Sequence, residues 1–263
     1  MGASFLTAIL THVDARGVEQ QLAYLRGVAP GSHFVVCHAG ERAELDKLAA
    51  NGVEAAFLDD PRLRTYGDLS WNTVISTVHE RWVAPRPEIE MLLLLEYDEL
   101  ILRGDFETAL MELATRADAA FLGKAAGPRD DTNWPHNLRY RDNAAFNEFI
   151  ARVSRREDSR TRFGCFGPGM VFRRDALDAV AAVIGDAPPV MQELMVPTLV
   201  HHLGFRVVDV NEHGDLYAGI RWKPQLTVEE ALEAKRAGRF FVHPFKRMDR
   251  LVAISSGAEA GLR

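Results

Sequence analysis

The spacing of hydrophobic residues changes repeatedly along the chain, and each change marks a predicted element. Apolar runs at 4–11, 33–38 and 53–58 are short and continuous, which is typical of strands buried in a sheet. Between them, residues 17–28 and 41–50 carry apolar side chains at helical spacing and end at turn residues. This order of strand, helix, strand, helix and strand predicts a parallel sheet with right-handed crossovers.

One stretch, residues 91–102, combines an apolar run with a cluster of acids and reads MLLLLEYDELIL. The unbroken run from Met91 to Leu95 predicts a strand buried on both faces. Three acidic residues then stand at its carboxyl end, which is where open α/β sheets bind ligands. Carboxylates gathered there either repel each other or share a cation, and hard cations prefer oxygen ligands. The stretch therefore predicts the Mg²⁺ or Mn²⁺ site of a nucleotide-using enzyme.

The rest of the chain keeps the α/β pattern around an irregular middle. Further strands are predicted at 119–122, 163–172 and 205–210, and further helices at 70–82, 105–114, 174–183, 190–203 and 228–237. Residues 125–163 are polar, turn-rich and highly charged, which is typical of a functional lid or of a mobile loop. We see no repeat, low-complexity stretch or clear linker, so we predict one domain over 1–263, with a C-terminal extension at 211–263.

Composition and charge exclude several classes of protein. The 263 residues carry a net charge of −6 without a long basic block, which argues against nucleic-acid binding. Two cysteines are too few for a disulfide scaffold, and we expect both thiols to be buried. The apolar N-terminal stretch is too short to span a membrane and has no basic flank, so we expect a cytoplasmic protein. Neither GxGxxG nor GxxxxGKS/T follows the first strand, which disfavours Rossmann dinucleotide and P-loop sites.

The order of these parts resembles the GT-A glycosyltransferases, the nucleotide-diphospho-sugar transferase fold. The resemblance rests on the βαβαβ start, the strand ending in Glu96-Tyr97-Asp98, the glycine-rich FGCFGPGMVF, and an acidic helix followed by HHLGFRVVDV. It covers roughly residues 5–210 and assigns no named subfamily. It implies an α/β fold with a mixed, mostly parallel central sheet flanked by helices, in a single domain.

The same resemblance implies a set of metal ligands. Glu96-Tyr97-Asp98 is similar to the family's DxD motif, in which the last acid binds a divalent cation, Mn²⁺ or Mg²⁺. Asp98 is therefore the expected ligand, and Glu96 lies near the donor ribose or reaches the metal. His243 matches a late histidine that several members place on the metal or the diphosphate, although a packed core residue is the alternative. Lys246 could meet the diphosphate, and Glu99 is expected to be a surface residue.

Other positions match the family's catalytic and acceptor-binding parts. Glu193 is similar to the general base of inverting members; the alternative is an acid that favours a first helical turn. Gly167 and Gly169 resemble the strand beside the acceptor sugar, or else a bulged strand that needs small residues. Trp134 could stack on a sugar face or anchor the irregular segment.

Donor recognition in this family uses the ends of the first strands. Thr11, Asp59, Asp60 and Asn72 stand where members contact the base and ribose, although Asp59-Asp60-Pro61 also reads as an ordinary turn. The expected partners are a UDP- or GDP-sugar donor and a glycan or small-molecule acceptor. The oligomeric state is left open.

These observations predict a metal-dependent glycosyltransferase, hexosyl or related, that transfers a sugar to an acceptor hydroxyl with inversion. Two alternatives remain. A non-catalytic module that binds nucleotide sugars or glycans would keep the same fold. A sugar nucleotidyltransferase would usually carry a glycine-rich basic loop after the first strand, where this chain has THVDARG with a single glycine.

Overall fold

The computed structural model describes residues 4–64 and 71–256. These ranges contain a seven-stranded sheet and a smaller two-stranded sheet. The strands are β1 (Phe5–Thr11), β2 (His33–His38), β3 (Ala55–Phe57), β4 (Met91–Glu96), β5 (Leu100–Ile101), β6 (Phe121–Pro128), β7 (Phe163–Arg173), β8 (Val207–Asp209) and β9 (Phe241–Val242).

The α-helices connect and cover these strands. They are α1 (Ala15–Val28), α2 (Arg42–Ala50), α3 (Trp71–Val78), α4 (Phe106–Arg116), α5 (Pro135–Tyr140), α6 (Ala144–Val153), α7 (Arg174–Ile184), α8 (Gln192–His202), α9 (Val228–Arg236) and α10 (Leu251–Ser256). A π-helical turn, His79–Val83, continues α3. Ser70, the first residue of the helix predicted at 70–82, lies outside the described residues.

The large sheet has the order β3-β2-β1-β4-β7-β6-β8. β1 pairs in parallel with β2 and β4, and β8 pairs in parallel with β6. Of the seven strands, β7 alone runs in the opposite direction, because it pairs antiparallel with both β4 and β6. The expected mixed, mostly parallel sheet flanked by helices is confirmed. As a result, the carboxyl ends of β1 and β4 and the amino-terminal half of β7 meet at one edge.

The apolar run of β4 is explained by its central position. Leu93 and Leu95 pack into the core on one face of the sheet, and Leu92 and Leu94 into the core on the other face. All four side chains are at most 1% exposed. Burial of this extent stabilises the fold by roughly 1.5–3 kcal/mol for each leucine. Because both faces of β4 are buried, its apolar residues need not alternate with polar ones, as the sequence indicated.

The C-terminal segment returns to the end of β4 through the small sheet. Leu100 pairs with Val242 and Ile101 with Phe241, in antiparallel register. The backbone N–H of Phe245 donates to the carbonyl of Asp98 at 2.7 Å. Residues 91–102 are therefore divided between two sheets. The turn between the two strands packs against residues 240–245, which read FFVHPF.

The segment 125–163 is more regular than its composition suggests. It contains the end of β6 and both α5 and α6. Asn143 caps α6 by accepting a hydrogen bond from the N–H of Phe146 at 2.9 Å. Its expected role as a lid stays a prediction.

Candidate metal and donor site

Two acids from the end of β4 and a histidine that is distant in sequence converge at the carboxyl end of this strand. Glu96, Asp98 and His243 each offer one ligand atom, and these atoms all lie within 4.8 Å of one another. Nε2 of His243 is 3.4 Å from Oδ1 of Asp98 and 3.6 Å from Oε2 of Glu96. Two carboxylate oxygens and one imidazole nitrogen form a mixed donor set for a divalent cation.

The imidazole of His243 is held in one orientation by the backbone. Its Nδ1 lies 2.8 Å from the carbonyl oxygen of Arg221, which can only accept a hydrogen bond. Nδ1 therefore carries the proton, and Nε2 faces the two carboxylates. Burial alone lowers the pKa of His243, but hydrogen bonds to Asp98 and Glu96 more than offset it and raise the pKa to about 10. A backbone partner of this kind is common for metal-binding histidines.

Of the two candidate carboxylate ligands, Asp98 has the more deeply buried side chain. Its side chain is 7% exposed, and besides the 3.4 Å contact with Nε2 of His243, its Oδ1 has no hydrogen-bond partner among the described residues. Lys246 Nζ lies 3.6 Å from Oδ2. Buried polar atoms normally have a bonding partner, so Oδ1 of Asp98 is expected to bind a further group. A divalent cation fits that position by charge and by donor type.

Glu99 corrects the sequence-based expectation of a surface residue. Its side chain is fully buried, and its N–H donates to the carbonyl of Glu96 at 3.0 Å in a tight turn. This turn directs the carboxyl group inward, below the three converging side chains. Burial is the main cause that raises the pKa of Glu99 to about 8. Its Oε1 lies 3.0 Å from the position that a Cβ atom would take at Gly169.

A cleft of about 290 Å³ opens beside Glu96, at the same edge of the sheet. Its wall is largely apolar and includes a few polar side chains. This combination is typical of small-molecule sites. The lining residues are Leu10, Thr11, His12, Cys37, Ala39, Leu58, Leu63, Trp71, Val74, Glu96, Tyr97 and Gln192.

The predicted donor-binding residues fall into two groups. Thr11 and Glu96 line the cleft, and Asn72 follows the cleft residue Trp71 in α3 with its Oδ1 buried and unpartnered among the described residues. Asp59 is exposed after the end of β3.

The carboxylate of Asp60 is already occupied within the protein. Arg62 donates to both of its oxygens, and Thr73 Oγ1 donates to Oδ2 at 2.9 Å. The hydrogen bonds from Arg62 are the main cause that holds the pKa of Asp60 down to about 2. These contacts match the turn alternative for Asp60.

Glu193, the candidate general base, lies close to the candidate metal ligands. The backbone N–H of Gly167 donates to its Oε1 at 2.7 Å. A Cβ atom added at Gly167 would lie 3.1 Å from Oε1 of Glu193 and 3.3 Å from Oε1 of Glu96. The two carboxylates therefore lie close to the same glycine, and a side chain at this position would crowd both of them. Glu193 and His243 thus both lie close to Glu96.

Gly169 and Trp134 are placed by packing contacts. Gly169 adopts φ +75°, and Tyr217 donates a hydrogen bond to its carbonyl at 2.5 Å. A Cβ atom there would meet Glu99 and Tyr217, which agrees with the bulged-strand alternative. The ring of Trp134 lies against Gly164, where an added Cβ would overlap it. The acceptor-binding roles of both residues stay predictions.

The sequence analysis missed several residues around the cleft. His12 and Tyr97 line it, and their rings meet edge to face at 4.6 Å between centroids. Gln21 is buried and donates to the carbonyl of Tyr97 at 2.9 Å. His12 follows the last residue of β1, so the rule that ligands bind at strand ends could have found it. Gln21 sits inside a helix and carries no such signal.

Comparisons with known proteins return likenesses of fold. The chain matches no protein-family model and no curated protein sequence. It is similar to the solved structure of mannosyltransferase PcManGT from Pyrobaculum calidifontis in complex with GDP-Man and Mn²⁺. The identity is 13%, the TM-score is 0.43, and the match covers 78% of this chain and 54% of that one. This chain thus spans about half the length of the mannosyltransferase.

Two structures of LgtC are similar over nearly their whole length. An active-site mutant gives 14% identity and a TM-score of 0.45, with 95% of each chain covered. The galactosyltransferase LgtC in complex with donor and acceptor sugar analogues gives 12% identity and a TM-score of 0.45, with 98% of each chain covered.

The described ranges contain no helix that combines the length and the apolar character needed to cross a bilayer.

Proposed function

We propose that this chain is a metal-dependent glycosyltransferase that moves a sugar from a nucleoside diphosphate to an acceptor hydroxyl. The observation that carries the proposal is the convergence of Glu96, Asp98 and His243 beside a largely apolar cleft. A sugar nucleotide needs both features, because its base is flat and largely apolar while its diphosphate is strongly anionic.

Asp98, Glu96 and His243 would hold the cation, and their chemistry favours Mn²⁺ over Mg²⁺. Carboxylates bind both ions, but an imidazole nitrogen is a better ligand for the softer Mn²⁺. When bound, the cation supplies electrostatic and Lewis-acid stabilisation of the charge that grows on the leaving diphosphate. Lys246 is exposed beside Asp98 and would add a second positive charge near the oxygens of the leaving diphosphate.

The cleft would bind the nucleoside of a UDP- or GDP-sugar. Its apolar wall suits the faces of a base, while Thr11 and Asn72 offer polar atoms for the base edge or the ribose. Asp59 is exposed and available for the ribose. Asp60 would contribute by holding the turn, since Arg62 and Thr73 already occupy its carboxylate.

Glu193 would take the proton from the acceptor hydroxyl, and we assign the enzyme an inverting, hexosyl or related transfer. The carboxylate is only 11% exposed and lies next to Gly167, close to the carboxylate of Glu96. A positioned general base typically accelerates attack on the order of 10² to 10⁴. The acceptor glycan or small molecule would then approach along the β7 side, past Gly167 and Gly169.

A donor screen tests the proposal. Purified protein is incubated with UDP- and GDP-sugars and Mn²⁺, and release of nucleoside diphosphate is followed with and without glycan acceptors. We expect turnover that a chelator abolishes and that Asp98→Ala lacks. Asp142→Ala, an exposed aspartate between α5 and α6, is the matched control and keeps full turnover.

Two outcomes would contradict the proposal. Full activity of Asp98→Ala with the metal chelated would remove the metal-dependent mechanism. Binding of a donor without hydrolysis or transfer to any acceptor would favour the alternative of a binding module.

A further inference from the structure

The carboxylate of Glu193 is contacted by two groups from different parts of the chain. The N–H of Gly167 in β7 donates to Oε1 at 2.7 Å, and Nε2 of His136 in α5 lies 3.5 Å from Oε2. The Glu193 side chain is only 11% exposed. We propose that His136 is a positioning residue for Glu193, and that Trp134 supports His136 in turn. This inference rests on the proposed function for its catalytic meaning.

The support from Trp134 is visible in the packing at the start of α5. The rings of Trp134 and His136 meet edge to face, with 4.9 Å between centroids. On its other sides the indole lies against the backbone of Gly164 in β7 and below the guanidinium of Arg129, 5.3 Å from the ring centroid. The indole is thereby held between β7 and the histidine. It fixes the distance from the sheet to the imidazole.

The indole of Trp134 lies so close to β7 that position 164 has no room for a side chain. A Cβ atom at this position would overlap the indole of Trp134 and approach the Cγ of Arg129 to 2.9 Å. β7 therefore uses glycine twice at the same edge, at 164 to admit Trp134 and at 167 to admit Glu193. Both glycines serve the placement of one carboxylate.

The arrangement leaves Glu193 able to act as a base. A carboxylate has about four lone-pair positions, and the two contacts use one on each oxygen. Neither contact transfers a proton from the carboxylate, which stays a proton acceptor. What the contacts remove is rotation about the last side-chain torsion. A small misplacement of a catalytic group can lower turnover by about a hundredfold, so orientation of this kind matters.

This inference gives Trp134 a different role from sugar stacking, and kinetics separate the two. A stacking platform binds the acceptor, so Trp134→Leu would raise the acceptor KM and leave kcat almost unchanged. A support for His136 acts on the base, so the same substitution would lower kcat and leave the acceptor KM unchanged. We expect the second pattern.

The main test compares His136→Leu with His136→Gln. Leucine keeps the volume but removes the polar contact, whereas the amide nitrogen of glutamine can still donate to Glu193. We expect His136→Leu to lower kcat by about tenfold to a hundredfold, with donor KM and Mn²⁺ affinity unchanged. His136→Gln should recover most of that loss. His213→Leu, on an exposed 3₁₀ turn, is the matched control and stays at the wild-type rate.

A kcat of His136→Leu equal to the wild-type value would overturn the inference. So would an equal loss in His136→Gln and His136→Leu, because the polar contact would then be irrelevant.

A second measurement does not depend on activity. The urea midpoints of His136→Leu, Glu193→Gln and the double variant form a double-mutant cycle. We expect the shift in midpoint of the double variant to differ clearly from the sum of the two single shifts, because each substitution removes the same contact between His136 and Glu193. Additive shifts would overturn the inference. If the wild-type protein transfers no sugar from any donor, the proposed function fails, while this cycle still decides whether the two side chains are coupled.

Discussion

The two halves of the central sheet, the β1–β4 side (β3, β2, β1 and β4) and the β7 side (β7, β6 and β8), contribute to the candidate site in different ways. On the β1–β4 side, parallel strands and short connections place Thr11, Glu96 and Asp98 at one edge by local rules. On the β7 side, a reversed strand and the returning C-terminal segment bring Glu193 and His243 to the same edge. The first side forms most of the cleft, and the second side carries the proposed base and the proposed third metal ligand. Binding and catalysis should therefore be separable by substitution.

The largest expected effect lies on the β7 side. Glu193→Gln removes the proposed base while it keeps the shape of the side chain, so turnover should fall on the order of 10² to 10⁴. Binding of Mn²⁺ and of nucleotide should be unchanged, because the cleft and the metal ligands are intact. Steady-state kinetics and calorimetry on the same preparation check both parts. A parallel loss of nucleotide binding would contradict the separation of the two sides.

The metal affinity should depend on pH through His243. The pKa of this imidazole is raised to about 10, so it is protonated at neutral pH and must lose its proton to bind a metal. The affinity for Mn²⁺ should thus rise with pH, by up to about tenfold per pH unit, until the pH approaches that pKa. Calorimetry between about pH 6 and pH 8 measures the slope. His243→Gln should bind Mn²⁺ more weakly and lose most of the slope; an unchanged slope would exclude His243 as a ligand.

The stability of the β7 side should depend on Gly169. Gly169→Ala introduces a Cβ at φ +75°, 3.0 Å from both Oε1 of Glu99 and the ring of Tyr217. Backbone strain and crowding together should cost about 2 to 4 kcal/mol of unfolding free energy. Gly52→Ala is the matched control, because Gly52 has φ +74° with nothing within 4 Å, so it reports the backbone cost alone. Urea unfolding measures both variants, and equal losses would show that crowding at Gly169 is negligible.

The smallest expected effect lies on the β1–β4 side, at Asp60. Its folded-state pKa is lowered to about 2, mainly by hydrogen bonds from Arg62, so its contribution to stability is present above the unfolded-state pKa near 4. That contribution, on the order of 1 to 2 kcal/mol after screening, is lost as the pH falls from about 4 to 2. Asp60→Asn should remove this pH dependence of unfolding while nucleotide binding stays unchanged. Weaker nucleotide binding without a stability change would instead assign Asp60 to the donor.

The β1–β4 side follows closely from the sequence because its elements are local. Apolar runs and helical spacing predict β1 to β4 within a few residues, and short connections leave little choice of topology. The acids after Leu95 could be predicted to lie at the ligand-binding edge for the same reason. The resemblance to the GT-A family added the expectation that Glu193 and His243 would join them.

What the sequence could not show depends on the path of the chain between elements. Glu99 looks like one more acid at a strand end, but the turn from Glu96 directs it into the core. The neighbourhood of His243 depends on the pairing of Leu100 with Val242, two residues that are distant in sequence. His136 carries no signal in a polar, turn-rich segment. Its approach to Glu193 depends on how α5 packs, including the contact of Trp134 with Gly164.

The most direct test of the central claim is calorimetric titration of Mn²⁺ into the wild-type protein, Asp98→Asn and the control Asp142→Asn, each with and without UDP or GDP. Asparagine keeps the size of the side chain but removes the charge that a divalent cation needs. We predict one Mn²⁺ site in the wild-type protein and in the control, tightened by the nucleotide, and loss of both the metal and the nucleotide effect in Asp98→Asn. Equal binding of Mn²⁺ and nucleotide to the wild-type protein and to Asp98→Asn would contradict the account.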